Sequence, residues 1–119
     1  MSKAIFWVLE VAIQPGALDT FKALMHEMVE TTQANEPDAL NYEWFISEGD
    51  TSCHLYERYA DSAAVMAHLA TFGQQFAERF LVAAQPTRLV VYGDPTDEAT
   101  KALSGLGAHF VTSIGGFTR

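Results

Sequence analysis

The stretch 55-LYERYADSAAVMAHL-69 changes character halfway along. Up to Tyr59 it is the end of an aromatic-rich segment with the composition of a strand. Asp61 then stands where a helix N-cap belongs, and Val65, Leu69, Phe72, Phe76 and Phe80 recur at helical spacing, with a break predicted at Gly73. A strand, one turn and a helix bearing a single histidine, His68, are therefore predicted in close succession.

Working outward, 40-LNYEWFIS-47 and 52-SCHLYERY-59 flank the turn-forming tetrad 48-EGDT-51 and read as an antiparallel hairpin. Before them, Leu18, Phe21, Leu24, Met25, Met28 and Val29 form one helical apolar stripe. That helix is expected to stop in 34-ANEPDA-39, because Glu36 precedes a proline and is steered away from helical geometry. The run 4-AIFWVLEVAI-13 is a strand ended by Pro15-Gly16, and 87-TRLVVYG-93 is a fourth strand. Strand–helix–strand–strand–helix–strand is the ferredoxin-like βαββαβ order, an α+β fold with an antiparallel sheet.

That fold puts both helices on one side of its sheet. Yet in the first strand Ile5, Trp7, Leu9, Val11 and Ile13 point one way and Ala4, Phe6, Val8 and Ala12 the other, with Glu10 the exception. A strand apolar on both sides needs cover on both sides. A second copy of the chain, packed sheet to sheet, provides it, and a homodimer is expected.

Residues 1–94 account for this domain. The remainder, 95–119, starts helically over 95-PTDEATKALSGLG-107 and keeps too many large apolar groups for a solvated tail, among them Leu103, Leu106, Phe110, Val111, Ile114 and Phe117. It is expected to cover a pocket or grip a partner subunit.

Bulk properties narrow the function classes. The 119 residues, 49% hydrophobic and 18% charged, suit one domain with a real core. The first apolar run is too short for a bilayer and lacks a small-residue cleavage site, so neither membrane span nor signal peptide is expected. A single cysteine, Cys53, leaves no intrachain disulfide, and a reducing cytoplasm is the simplest home. A net charge of −8 with scattered basic residues argues against nucleic acid.

The usual chemical signatures fail in turn. His26, His54, His68 and His109 form no metal-ligand spacing, and no cysteine pair accompanies them. The pieces 105-GLG-107 and 115-GG-116 lack the strand-then-helix setting of a phosphate cradle. Cys53 has no basic neighbour that would activate it. What remains is a set of aromatic residues on the strands, Trp7, Tyr42, Trp44, Phe45, Tyr56 and Tyr59, and a histidine near the edge of the following helix's apolar stripe. Core packing explains most of the aromatics. A flat, apolar pocket with His68 at its rim is the functional alternative.

The pattern apolar-Tyr-Glu-Arg-aromatic, Ala-Asp, and then Ala-His nine residues after the aromatic resembles the antibiotic biosynthesis monooxygenase family. The likeness spans roughly residues 3–93, and its Tyr-Glu-Arg-Tyr…His piece is the specific part. It implies a dimeric α+β barrel and a small enzyme with no metal, flavin or haem, oxidising quinols or polycyclic phenols with molecular oxygen. By the same likeness His68 is the general base and Glu57 its partner, while Trp7, Leu9, Trp44, Tyr59, Phe72 and Phe76 bind the substrate. Two departures matter. Family members often carry a second histidine where this chain has Gln75. The asparagine and tryptophan of haem-degrading members fall on Leu9 and His68 here, which speaks against haem. An isomerase of a small phosphorylated sugar, drawing on Arg58 or Arg88, and a non-catalytic binding module are the alternatives.

Overall fold

The computed structural model describes residues 3–119. The chain runs β1 (Ile5–Ile13), α1 (Leu18–Asn35), β2 (Ala39–Ile46), β3 (Ser52–Tyr59), α2 (Ser62–Thr71), α3 (Ala77–Ala83), β4 (Ala84–Tyr92), α4 (Asp97–Ser104) and β5 (His109–Val111). The ferredoxin-like order expected from the sequence is present through β4. Asp61 caps α2 as expected, its Oδ1 accepting a hydrogen bond from the Ala64 amide at 2.9 Å. Gly73 does not break the helix after α2. Residues Phe72–Phe76 instead form one π-helical turn that joins α2 to α3. Such a turn inserts a residue's worth of rotation and re-aims the side chains beyond it.

The sheet order is β2-β3-β1-β4-β5. Its first four strands pair antiparallel, but β5 lies parallel to β4, with Val91 opposite Phe110. The sheet is therefore mixed, which corrects the wholly antiparallel expectation. The reason is the crossover: the chain leaves β4, passes through α4 and returns alongside, and a connection of that kind delivers a parallel strand. Gly93 makes the exit possible. It has φ +116, and a Cβ there would lie 2.9 Å from the Ala4 carbonyl oxygen.

The helices cover one face only. Ile5, Trp7, Val11, Cys53, Leu55, Tyr59 and Val91 are buried beneath them with Phe21, Leu24, Met28, Val65 and Phe80. Alternation along the strands sends the other set outward. In register across β3, β1 and β4 these are Tyr56, Val8 and Val90, and next to them Arg58, Phe6 and Tyr92. The Phe6 ring stacks on Tyr92 with centroids 5.0 Å apart and planes 7° from parallel. No helix among the described residues is long and apolar enough to cross a membrane.

Candidate active site

Under the helices a cavity of about 120 Å³ opens between the sheet and α2, α3 and α4. Each layer contributes by its own periodicity. Trp7 and Leu9 come from β1, Tyr42 from β2, Leu55 and Glu57 from β3, Leu89 from β4. His68 and Leu69 come from α2, Phe72 from the π turn, Phe80 and Leu81 from α3, and Leu103 and Leu106 from α4 and the turn after it. Leu81, Pro86 and Leu106 are exposed and also line the space, so they form its mouth.

The lining is apolar except at one spot. His68 is only 6% exposed, so it lies in the interior and not at a rim as its helical position had suggested. Two carboxylates flank the ring. Glu36 Oε1 is 2.9 Å from Nδ1, and Glu57 Oε1 is 3.3 Å from Nε2. The Tyr59 hydroxyl donates to the same Glu57 oxygen at 2.7 Å. Tyr42 meets the imidazole edge-on with centroids 5.2 Å apart, and Tyr59 lies 5.0 Å away on a tilted plane.

These contacts decide the charge. Burial by itself would lower the His68 pKa, but hydrogen bonds to Glu36 and Glu57, with their negative charges, overcome that and raise it to about 9. At neutral pH the ring is an imidazolium. A base titrating near neutrality, the role the family resemblance implied for His68, does not fit this environment. The same carboxylates act with burial to push the Tyr42 and Tyr59 phenols upward, so both stay neutral.

Of the residues singled out from the sequence, Trp7, Leu9, Glu57, His68 and Phe72 line the cavity. Tyr59 stands behind it, fully buried, with its ring 4.9 Å from Trp7 and its hydroxyl holding Glu57. Trp44 lies further along the sheet against Phe21 and Phe80, where its buried Nε1 has no hydrogen-bond partner. Phe76, re-aimed by the π turn, joins the core with Val11 and Ala83 and does not line the cavity. Tyr42, one of the strand aromatics, also lines the cavity, whereas sequence reasoning passed over Glu36 and Leu89 and left the aim of Leu103 and Leu106 open. Glu36 had been noticed only for the helix end it marks. No spacing links it to His68, 32 positions away.

The described residues hold no group of three His, Cys, Asp or Glu arranged to bind a metal ion. Arg58 and Arg88 sit on the far face of the sheet, Arg58 in register with Phe6 and Arg88 reaching Glu10 at 3.9 Å, so neither reaches the cavity.

A family model described as antibiotic biosynthesis monooxygenase matches residues 4–78. Among solved structures, MupZ from Pseudomonas fluorescens superposes with a TM-score of 0.82 at 24% identity, covering 99% of this chain and 96% of its own. A protein described as an antibiotic biosynthesis monooxygenase gives 0.65 at 26% identity over 77% and 98% of the two chains. SnoaB, a cofactor-independent oxygenase from Streptomyces nogalater, gives 0.67 at 14% identity over 80% and 96%. The MupZ superposition extends through the α4–β5 segment, beyond the region the family model matches. Among curated protein sequences none matches the chain.

Proposed function

The chain belongs to the antibiotic biosynthesis monooxygenase family, and on that premise we propose that it is a cofactor-independent monooxygenase of quinols or polycyclic phenols. The observation that carries the reading is the single polar spot, Glu57 beside His68, in a cavity otherwise walled by Trp7, Leu9, Phe72 and leucines. A flat phenol lies against those walls and directs its hydroxyl to that spot.

In this reading Glu57 is the proton acceptor and His68 the fixed positive charge. Glu57 takes the hydroxyl proton, and the phenolate moves into reach of Nε2–H. An electron-rich phenolate passes one electron to oxygen, and the pair recombines as a peroxide on a ring carbon. Glu57 returns its proton to the terminal peroxide oxygen. It then takes the proton from that ring carbon as the O–O bond breaks and passes it to the departing hydroxide. One oxygen atom leaves as water and the other stays as a quinone carbonyl, so phenol and oxygen give quinone and water. The imidazolium stabilises each anion in turn, an arrangement that works best in a dry site with preset charges.

A phosphorylated sugar finds neither Lys nor Arg in this cavity, and its one cation, His68, is already held between Glu36 and Glu57. The test is oxygen uptake by the purified protein with a series of hydroxylated anthracenes and naphthols, with quinone formed in a one-to-one ratio. Quenching of Trp7 fluorescence without oxygen uptake would assign a binding module instead, and silence towards all of them would refute the substrate class.

A further inference from the structure

His68 carries more charge partners than its proposed role in anion binding needs. The carboxylate facing the substrate space is Glu57, yet the shorter contact, 2.9 Å against 3.3 Å, is with Glu36 on the other side of the ring. Glu36 is the residue at which α1 ends, with φ −125 and ψ 78, and its amide still bonds to Thr32 of the last turn. That leaves its side chain anchored at the helix end and only 10% exposed, with the second oxygen buried and unpartnered. No other described group offers that oxygen a hydrogen bond, so the imidazole is its one compensation.

We propose that Glu36 is the positioning residue of the site: it keeps His68 doubly protonated with Nε2–H turned to the cavity, so that substrate is received there as an oxygen anion. This rests on the phenol-binding reading above. The logic is one of donors and acceptors. Carboxylates only accept, so a ring placed between two of them needs a proton on each nitrogen. A neutral imidazole would set one lone pair against a carboxylate oxygen. Removing the Glu36 charge leaves burial free to favour the neutral ring.

The arrangement also settles where the substrate's charge goes. Glu36 cancels the imidazolium, and Glu57 is the remaining negative group. When Glu57 takes a proton its hold on Nε2–H weakens, and the new substrate anion inherits that hydrogen bond. The titratable groups that face His68 are Glu36 at the end of α1, Tyr42 on β2, and Glu57 and Tyr59 on β3. Both phenols stay neutral throughout, so the two glutamates alone set the charge.

The test is the titration of the His68 ring nitrogens by ¹⁵N NMR in the full chain from pH 5 to 10. Both nitrogens are expected to be protonated at pH 7.5 with a midpoint near 9. In Glu36→Gln, which keeps size and shape, the midpoint should fall by at least about one unit, more than in Glu57→Gln. Bound 2-naphthol should show the red-shifted absorption of its anion in the wild type and the neutral spectrum in Glu36→Gln, while 2-methoxynaphthalene binds both alike. A singly protonated ring at pH 7.5 in the wild type, or an unmoved midpoint in Glu36→Gln, overturns the proposal. The wild-type titration decides the matter even where the variant does not fold. Absence of oxygen uptake with every quinol would refute the oxygenase reading and leave this titration as it stands.

Discussion

The strand β3 takes part in two glutamate–histidine pairs, one on each face of the sheet. On the helix side Glu57 meets His68 at 3.3 Å, with side chains 5% and 7% exposed. On the open side His54 meets Glu10 of β1 at 3.5 Å, with side chains 52% and 31% exposed. The residue types and distances nearly match. The surroundings differ, and that decides what each pair does. Inside, two carboxylates within 3.3 Å of the ring outweigh the burial that opposes its charge, and protonation of the ring becomes part of the folded structure. Outside, water and salt screen the attraction and both groups keep other options. Chemistry on this molecule is accordingly a property of burial, and it can be tested by treating the two pairs alike.

The largest effect belongs to the inner pair. His68→Phe removes a cation that two buried carboxylates share, and leaving buried charge uncompensated costs about 3–5 kcal/mol. A rim histidine would have been removable without harm to the fold; this one is not. The loss should show as a fall in Tm at pH 7.5. Glu57→Gln keeps the shape and should lower turnover of an active quinol by about a hundred- to ten-thousandfold, the range of a positioned acid or base. Unchanged turnover in Glu57→Gln would move the proton acceptor elsewhere.

Next in size is the pH dependence of stability. The folded-state pKa of His68 is raised to about 9 from the ordinary imidazole value of 6.5. A raised histidine pKa stabilises the fold fully below the unfolded value and ceases to do so as pH climbs through the folded one. Chemical denaturation should therefore show stability from this source held near pH 6 and falling between about pH 6.5 and 9. The same scan on His68→Phe should lack that component. A wild-type curve that rises across this window would contradict the charge assignment.

Much of this was legible in the sequence because it depends on period and neighbours. Alternation in β1, the EGDT turn and the Asp61 cap each act over a few residues, and together they placed the fold through β4. The family resemblance, and not period, named Glu57 as the partner of His68 and Trp7, Leu9 and Phe72 as pocket residues, and all five line the cavity. Three things depended on longer-range facts. Glu36 reaches His68 only because the residues that end α1 lie beside α2, near Ala63, Ala64 and Ala67, which no local pattern records. Phe76 left the cavity because of a π turn, a local rotation with no signal beyond Gly73. β5 runs parallel because α4 returns the chain along β4, and a three-residue strand carries too little pattern to be seen.

The open face of the sheet yields the next prediction. Phe6, Val8, Tyr56 and Tyr92 are half-buried there around Val90, while Glu10, His54 and Arg88 form a polar margin. We propose that a second copy of the chain covers this face. Phe6→Glu puts a charge into the stack with Tyr92 and should turn a dimer into a monomer by sedimentation at micromolar concentration. The cavity lies on the other face, so binding of a naphthol at Glu57 and His68 should change by less than about threefold. A wild-type monomer would refute the interface outright. A large loss of binding on dissociation would mean that the partner helps shape the cavity.

The smallest effect is expected at the outer pair. His54→Ala removes the partner of Glu10 at 3.5 Å, where both side chains keep contact with water. Exposed pairs of this geometry contribute little, and surface substitutions usually stay within about 0.5 kcal/mol. Glu10 also retains Arg88 at 3.9 Å, so the change strands no charge. Tm should move by no more than a degree or two, and naphthol binding should not move at all. A larger loss of stability that disappears on dilution to the monomer would place His54 inside the covered margin of the sheet. The outer pair would then differ from the inner one only in needing a second chain to bury it.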